Sequence, residues 1–306
     1  MKIAILIMAT KQNPSTRNVD AFKNTVVKFC VENRYKLKHE YVFVFYYADD
    51  KTQMIKDDDS VYTFSYNMEE SVYRTFEKTR CALIDVRGVI NPDLYVRVNI
   101  STYINILLLD CLAEQIYKSD LLFCNRINNH VNIASSRFND VYPRGDFMIF
   151  KKDVADIIDR EGEKYMYDNT NLKGLHIGVD HVDDCMIGVC LKDGIGKEYY
   201  EKISMLKYNY IPDAKPDYSS INMMCIASRL KTVPPNTNSG YSWDDNDFRL
   251  YDVEKFNDIH EIYKNVVYSD DVSLHMVLTK NEYQFIFAEC AYLTKEQYIQ
   301  ITNKRW

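Results

Sequence analysis

The stretches KIAILIMA at residues 2–9 and YVFVFYY at residues 41–47 decide the fold, because each is a compact apolar run of strand length. Between them lies VDAFKNTVVKFCVEN at residues 19–33, whose apolar residues recur at helical spacing. A strand, a helix and a second strand in this order are typical of an α/β protein with a parallel sheet. We therefore predict an α/β fold, an αβα sandwich around a mostly parallel central sheet.

The same patterns continue beyond the second strand. Residues 51–64, KTQMIKDDDSVYTF, predict an acidic loop, and residues 68–88 predict a second helix. A strand is then expected at 93–100, a long helix at 101–120, and a turn, a strand and a helix within 141–162. This alternation supports the α/β assignment.

Composition narrows the kind of protein. The 38 Lys and Arg residues are outnumbered by 44 Asp and Glu residues, so no overall field attracts nucleic acid. No apolar run approaches the roughly 18 to 20 residues of a membrane span, and the opening run lacks a cleavage site. Eight cysteines without a C-x-x-C pair argue against a zinc ribbon or a disulfide framework. We expect a soluble, reduced, cytoplasmic protein without a nucleic-acid partner.

The strongest enzyme signatures are absent, namely the Walker loop, G-x-G-x-x-G, G-x-S-x-G and H-E-x-x-H. One polar cluster, HIGVDHVDD at residues 176–184, places His176, Asp180 and His181 close together. Imidazole and carboxylate groups of this kind hold divalent metals, so a metal-dependent hydrolase is one hypothesis. The other interpretation is a polar loop whose acids are incidental.

Four blocks of sequence carry more information through their order: MEESVYRTFEKT (68–79), PDLYVRVNIST (92–102), VYPRGDFMIFKKDV (141–154) and VDDCMIGVCL (182–191). Within these blocks, the residues that carry the resemblance described next are Tyr73, Thr75, Lys78, Thr79, Tyr142, Pro143, Gly145, Phe147, Asp183, Asp184, Gly188, Cys190 and Leu191. In this order the blocks resemble those of the β-1,3-glycosyltransferases, the galactosyltransferase and Fringe-like family. The resemblance covers roughly residues 1–200.

The resemblance implies a GT-A-like, Rossmann-type fold and a specific chemistry. Members of this family move a sugar from a nucleotide diphosphate, here expected to be a UDP-sugar, to a glycan hydroxyl with inversion. Asp184 occupies the place of the family's base, which takes the proton of the acceptor hydroxyl. Asp183, Arg144 and Asp146 are expected at the acceptor. The other interpretation of Asp184 is a helix N-cap.

One block departs from the family. Where the family has Lys-x-Asp-Asp-Asp, this chain has Arg97, Val98, Asn99, Ile100 and Ser101. The family's aspartates coordinate a divalent ion, Mn²⁺ or Mg²⁺, and an amide and a hydroxyl do not replace charged oxygen ligands. We therefore expect the charge of the leaving diphosphate to be met by fixed basic side chains.

Arg97 is the first of these basic groups, supported by Lys78 and by Arg17 or Lys23, while Asn99 and Ser101 would contact ribose or sugar hydroxyls. The other interpretation of Arg97 is an ion pair with Asp93 or Asp85. Gly145 would let the backbone approach the donor sugar. The predicted donor-binding residues are Thr10, Arg17, Lys78, Arg97, Asn99, Ser101 and Gly145.

A change in composition near residues 211–246, rich in Pro, Asn, Ser and Gly, suggests a boundary. We predict a glycosyltransferase domain at 1–210 and a C-terminal α+β extension at 211–306 for acceptor recognition or for forming a homodimer. Abundant Tyr, Lys, Asn, Ile and Asp favour a bacterial or large-DNA-virus enzyme of surface or capsid glycans, acting in the host cytoplasm if viral. The alternative from another class is a GT-A-like scaffold protein without catalysis.

Overall fold

The computed structural model describes residues 1–11, 15–71, 74–124, 127–129, 141–166, 183–196, 203–206, 208–211, 225–230, 253–268, 274–278 and 286–290. The strands are β1 (Lys2–Met8), β2 (Glu40–Asp49), β3 (Gln53–Asp58), β4 (Val61–Asn67), β5 (Leu94–Asn99), β6 (Thr102–Ile104), β7 (Leu122–Cys124), β8 (Ile127–Asn129), β9 (Val141–Pro143), β10 (Phe147–Lys151), β11 (Ile203–Leu206), β12 (Tyr208–Ile211), β13 (Ala227–Leu230), β14 (Leu274–Leu278) and β15 (Ile286–Cys290). The helices are α1 (Ser15–Phe22), α2 (Lys28–Glu32), α3 (Thr75–Val89), α4 (Ile106–Lys118), α5 (Lys152–Gly162), α6 (Asp183–Ile195) and α7 (Val253–Tyr263). A π-helical turn, Lys23–Val27, joins α1 to α2.

Ten of the described strands form one central sheet, in the order β14-β15-β11-β7-β10-β5-β1-β2-β4-β3. Strand β1 is parallel to both of its neighbours, β2 and β5, and β2 is parallel to β4. Strand β10 runs antiparallel between β5 and β7, and β3 runs antiparallel at the edge. The mostly parallel sheet predicted from the sequence is confirmed.

Both faces of this sheet are buried, which explains why β1 lacks an alternating pattern. Ile5 belongs to a core with Phe22 of α1 and Leu109 of α4, and Leu6 belongs to a second core with Phe76 of α3. Helices therefore cover both faces, and the predicted αβα sandwich is confirmed.

Two predictions about single elements were wrong. The expected acidic loop at 51–64 is instead the hairpin of β3 and β4, because Val61 and Phe64 are buried where β4 pairs with β2, while the acids lie on the exposed edge strand. The expected helix at 101–120 begins only at Ile106, since buried residues of β6 pair with β13. The Asn105 side chain then caps α4 by accepting a hydrogen bond from the Leu108 backbone N at 3.2 Å.

The described segments beyond residue 210 pack against the first part of the chain. Strand β15 pairs with β11 and so extends the central sheet. Phe256 of α7 contacts the rings of Phe22 and Tyr103, with centroid distances of 5.5 and 5.3 Å. The division at 210/211 stays a prediction, and the Pro-rich segments behind it lie largely outside the described residues. Among the residues described, no helix combines the length and apolarity that a bilayer crossing requires.

Candidate active site

The topology brings the ends of four parallel strands to one edge of the sheet. The chain runs from β1 outward to β2 and β4, then returns to β5 on the other side of β1. In open α/β sheets, ligands bind outside the carboxyl ends of the strands where the strand order reverses in this way. Residues 9–11 follow β1 at this edge, while Asn99 ends β5 and Ile100 and Ser101 follow it.

Arg97 lies within β5 and its side chain is fully buried. Its Nη2 forms an ion pair with Asp183 and donates a hydrogen bond to Met8 Sδ at 3.2 Å. Its Nε and Nη1 are buried and have no hydrogen-bond partner within the described part of the chain. Burial acts to lower the pKa of Arg97, but the attraction of Asp183 raises it above the ordinary value. The acid that pairs with Arg97 is therefore Asp183, rather than Asp93 or Asp85 as weighed from the sequence.

Asp183 is the first residue of α6 and is held by two threonines of α3. Its backbone N donates a hydrogen bond to Thr75 Oγ1 at 3.1 Å, and Thr79 Oγ1 donates one to its Oδ2 at 3.4 Å. The Thr79 hydroxyl also lies 3.1 Å from the Tyr46 hydroxyl. Burial raises the pKa of Asp183 against the opposing charge of Arg97. Matched residues of the first and fourth sequence blocks thus meet around one carboxylate.

Asp184 is only partly buried, and its carboxylate faces the turn before β10. It accepts hydrogen bonds from the backbone N of Gly145 at 3.3 Å and of Cys185 at 2.9 Å. Burial and the neighbouring charge of Asp183 raise the pKa of Asp184 to about 6. Asp184 is the second residue of α6 and the bond from Cys185 joins adjacent residues, so Asp184 does not hold the N-cap position that was the other interpretation from the sequence.

The backbone of Gly145 lies close to the side chains of Asp183, Asp184 and Arg97. A Cβ atom added there would lie 3.0 Å from Asp183 Oδ1, 3.1 Å from Asp184 Cβ and 3.5 Å from Arg97 Nη1. A side chain there would require Asp183 and Asp184 to shift by a few tenths of an ångström, so glycine suits the close approach of this backbone to the two carboxylates. The next residue, Asp146, joins this turn to β5, since its carbonyl O accepts a hydrogen bond from the Asn99 backbone N at 3.3 Å.

Lys78 supplies a second buried cation at this edge. Its Nζ donates hydrogen bonds to the Ala9 carbonyl O at 3.2 Å and to Glu70 Oε1 at 2.8 Å. Burial lowers the pKa of Lys78, and the attraction of Glu70 opposes this shift. A third pair, Lys11 and Asp49, lies at the ends of β1 and β2, where the hydrogen bond from Lys11 lowers the pKa of Asp49 to about 2.

The remaining predicted residues are divided between this site and undescribed parts of the chain. Asn99 Oδ1 is buried and accepts no hydrogen bond from the residues that the structure describes, and Ser101 is buried nearby in the chain. Arg144 Nε lies 3.5 Å from Asp146 Oδ2. Thr10 lies between Ala9 and Lys11 at the same edge. The Arg17 backbone belongs to α1, but its side chain lies outside the description. The candidate metal ligands His176, Asp180 and His181 also lie outside the described residues, as does Tyr73.

Sequence reasoning missed Glu70, Tyr46 and Met8, which contact the predicted residues directly. The acidic pair just before α3, Glu69 and Glu70, was the one signal that could have indicated a partner for Lys78. Tyr46 and Met8 lie in apolar strands and gave no signal, because their contacts depend on strand register.

Among the described residues, the end of β5 does not offer a divalent cation charged ligands. Asn99 and Ser101 supply a neutral amide and a hydroxyl, which form a poor ligand set for Mn²⁺ or Mg²⁺. In the described ranges, no three His, Cys, Asp or Glu side chains come close enough together to hold a metal ion.

No protein-family model and no curated protein matches the sequence. Among solved structures, the chain is similar to a glycosyltransferase involved in the glycosylation of the major capsid of PBCV-1, with 10% identity, a TM-score of 0.39, and coverage of 85% of this chain and 99% of that one. It is also similar to the galactosyltransferase LgtC in complex with donor and acceptor sugar analogues, with 11% identity, a TM-score of 0.42, and coverage of 84% and 95%. Both TM-scores lie below 0.5, so the function considered next depends on the site itself.

Proposed function

We propose that the protein is a glycosyltransferase that moves a sugar from a nucleotide-diphosphate donor to a glycan hydroxyl. The observation that carries the proposal is Asp184, a carboxylate with a pKa of about 6, held by the Gly145 backbone at the carboxyl edge of a parallel sheet. An acid with a pKa near neutrality suits a general base, because it is ionised at pH 7 and still accepts a proton readily. The matching order of the four sequence blocks supports the same chemistry.

In the proposed reaction, the Asp184 carboxylate takes the proton of the acceptor hydroxyl as its oxygen bonds to the anomeric carbon. The bond between that carbon and the diphosphate oxygen breaks, and the electron pair leaves with the diphosphate. Attack from the side opposite to the leaving group inverts the anomeric centre. Transfer from UDP, inversion, and a surface or capsid glycan as product are finer parts of the proposal that rest on the sequence.

The charge of the leaving diphosphate is met in this proposal by basic side chains. Arg97 is fully buried, so we assign it an indirect role, in which its field and its pairing with Asp183 keep the site organised. The Nζ atom of Lys78 lies at the carboxyl end of β1, where a diphosphate would be bound. The exposed Lys11 belongs to the segment that follows β1. Asn99 and Ser101 are assigned to hydroxyl groups of the donor.

A non-catalytic binding protein is the second candidate, and one observation favours it. Arg97, Lys78 and Lys11 are each paired with an acid of the chain, namely Asp183, Glu70 and Asp49. In a protein that never binds a diphosphate, these three ion pairs would neutralise the basic side chains at all times.

Thermal unfolding with UDP, GDP and ADP, each with Mn²⁺ and with EDTA, tests the donor site, and hydrolysis or transfer from UDP-sugars tests the reaction. We expect UDP to raise the melting temperature by the same amount in the presence of EDTA as in the presence of Mn²⁺. Stabilisation by a nucleotide without sugar transfer or hydrolysis would contradict the proposed catalysis, and stabilisation by metal alone would favour the hydrolase. A protein that responds to no nucleotide contradicts the proposed transferase and favours the non-catalytic protein.

A further inference from the structure

Lys78 is a buried ammonium group with a carboxylate as its only charged hydrogen-bond partner among the described residues. Only 3% of its side chain is exposed, against 25% for its partner Glu70. Its second acceptor is the carbonyl O of Ala9, which belongs to the segment after β1. The ammonium group therefore lies at the edge of the sheet where the donor's diphosphate is proposed to bind.

Glu70 comes from an irregular segment between β4 and α3, so its position is not fixed by regular backbone hydrogen bonds. Oε1 of Glu70 accepts the bond from Lys78 at 2.8 Å, while Oε2 is buried and has no hydrogen-bond partner among the described residues. A buried carboxylate oxygen without a donor is unfavourable. Among the described residues, the hydrogen bond and ion pair with Lys78 are therefore the contacts that hold the Glu70 carboxylate here.

A phosphate oxygen is the natural replacement for this carboxylate oxygen. It accepts the same charge-assisted hydrogen bond from an ammonium group, and a diphosphate carries more charge than one carboxylate. When the phosphate replaces the carboxylate, Lys78 remains neutralised throughout, and the Glu70 carboxylate regains water. If Lys78 had neither the carboxylate nor the phosphate as a partner, its unpaired buried charge would strongly destabilise the folded protein.

We propose that Glu70 occupies the phosphate position on Lys78 in the free protein, and that the donor's diphosphate displaces it. This inference rests on the proposed function, because it concerns the same donor site. Donor affinity is then lowered by the need to displace Glu70, as for any ligand whose competent state is only partly populated. The returning carboxylate also competes with the spent diphosphate and so speeds its release.

The test compares Glu70→Gln with Glu69→Gln in the full chain. Glu69 is the exposed neighbour of Glu70, so both substitutions change the net charge equally and only one removes the partner of Lys78. Binding of UDP and of inorganic pyrophosphate is measured by calorimetry at fixed ionic strength. We expect Glu70→Gln to bind both about 5-fold or more tightly than the wild type, and Glu69→Gln to stay within about 2-fold.

The alternative, a purely structural ion pair, makes the opposite prediction. If Glu70 only stabilises the fold, Glu70→Gln lowers the melting temperature and binds UDP equally well or more weakly, which overturns the displacement. Glu70→Ala serves as a second variant, and circular dichroism shows which variants are folded. Tighter binding by both folded variants supports displacement.

The failure of this inference is distinguishable from the failure of the proposed function. A wild type that binds UDP and transfers sugar, with no gain in Glu70→Gln, overturns the displacement and leaves the transferase standing. Tighter pyrophosphate binding by Glu70→Gln without sugar transfer by any form supports the displacement and contradicts the transferase. If pyrophosphate and UDP bind to none of the four proteins, both are overturned.

Discussion

At the scale of the residue, the most informative group is Asp184, because its environment opposes its own ionisation. Its pKa is raised from 3.8 to about 6 by burial and by the nearby charge of Asp183. Groups of this kind lower the stability of the fold at neutral pH and are retained where chemistry needs them. Activity and stability should therefore respond to Asp184 in opposite directions.

The first prediction concerns activity. Asp184→Asn should lower kcat for sugar transfer by about 10²-fold or more, because the base is lost, while the Kd for UDP stays within about 2-fold. In the wild type, kcat/KM should rise as the pH increases through about 6, since Asp184 must be ionised to accept the proton. Steady-state kinetics between pH 5 and pH 8 measure both effects. Undiminished turnover in Asp184→Asn would rule out the assigned base.

The second prediction concerns stability. The folded protein holds the Asp184 proton more tightly than the unfolded chain, so the destabilisation is absent below pH 4, grows between about 4 and 6, and is complete above 6. Asp184→Asn removes this effect and should stabilise the fold at pH 7 by about 1–3 kcal/mol, with little change near pH 4. Urea unfolding at the two pH values measures it. A variant that is less stable at pH 7 would contradict the raised pKa.

The third prediction uses two glycines with different surroundings. Gly145→Ala places a methyl group 3.0 Å from Asp183 Oδ1, and it should cost about 1–3 kcal/mol and reduce transfer at least about 10-fold. Gly88→Ala is the matched control, because nothing lies within 4 Å of the added Cβ on the exposed side of α3. It should stabilise α3 by about 0.5–1 kcal/mol and leave activity unchanged. Equal effects of the two substitutions would contradict the close approach at Gly145.

At the scale of the element, α7 depends on a buried histidine. His260 Nδ1 lies 3.0 Å from the Tyr103 hydroxyl, and burial lowers the pKa of His260 from 6.5 to about 4. Since the folded protein binds this proton more weakly than the unfolded chain, the stability that depends on neutral His260 is complete above about 6.5 and decreases down to about 4.

This gives the fourth prediction. We expect His260→Phe to abolish part of the loss of stability that the wild type shows between pH 6.5 and pH 4, because phenylalanine takes up no proton. Unfolding in urea across that interval, compared between the two proteins, isolates the contribution of His260 from that of Asp184. Parallel pH profiles for the two proteins would show that His260 is protonated equally in the folded and unfolded states.

The sequence predicted elements well where one local pattern determines them. The fully apolar run of β1 and the helical spacing of α3 correctly indicated a strand buried on both faces and a helix covering it. The hairpin of β3 and β4 was missed because the acids of an exposed edge strand have the composition of a loop. Local charge dominated that prediction, whereas pairing with β2 determined the structure.

The candidate site was predictable only in part, for a related reason. The matched blocks named Lys78, Asp183 and Gly145, which the fold brings to one edge. The partners of these residues were not predictable, because the ion pair of Arg97 with Asp183 joins a strand and a helix far apart in the chain. Such contacts depend on register and on packing, which spacing along one chain does not encode.

At the scale of the whole molecule, α7 packs into the core formed by the first part of the chain. Phe256, Ile259 and Tyr263 of α7 are buried in the same core as Phe22 and Tyr103. The proposed boundary at 210/211 and this packing make different predictions for a shortened chain. If the extension is an added module, the first part keeps its own cooperative fold.

The fifth prediction follows from the packing. A chain ending at residue 210 should lose its cooperative thermal transition or melt at least about 10 °C lower, since it exposes the apolar surface that α7 covers. Differential scanning calorimetry of the shortened and full chains decides this. An unchanged transition in the shortened chain would establish an independent domain at 1–210.

The exposed strand β3 has a consequence for how copies of this protein meet each other. It ends the sheet, and in a bare strand the unpaired amides and carbonyls at such a position would recruit a strand from a second molecule. Here the exposed residues Lys56, Asp57 and Asp58 follow one another along that edge, so a second copy paired parallel and in register would bring like charges into contact. The acids that give this hairpin the composition of a loop thereby oppose parallel, in-register pairing of two copies along this edge.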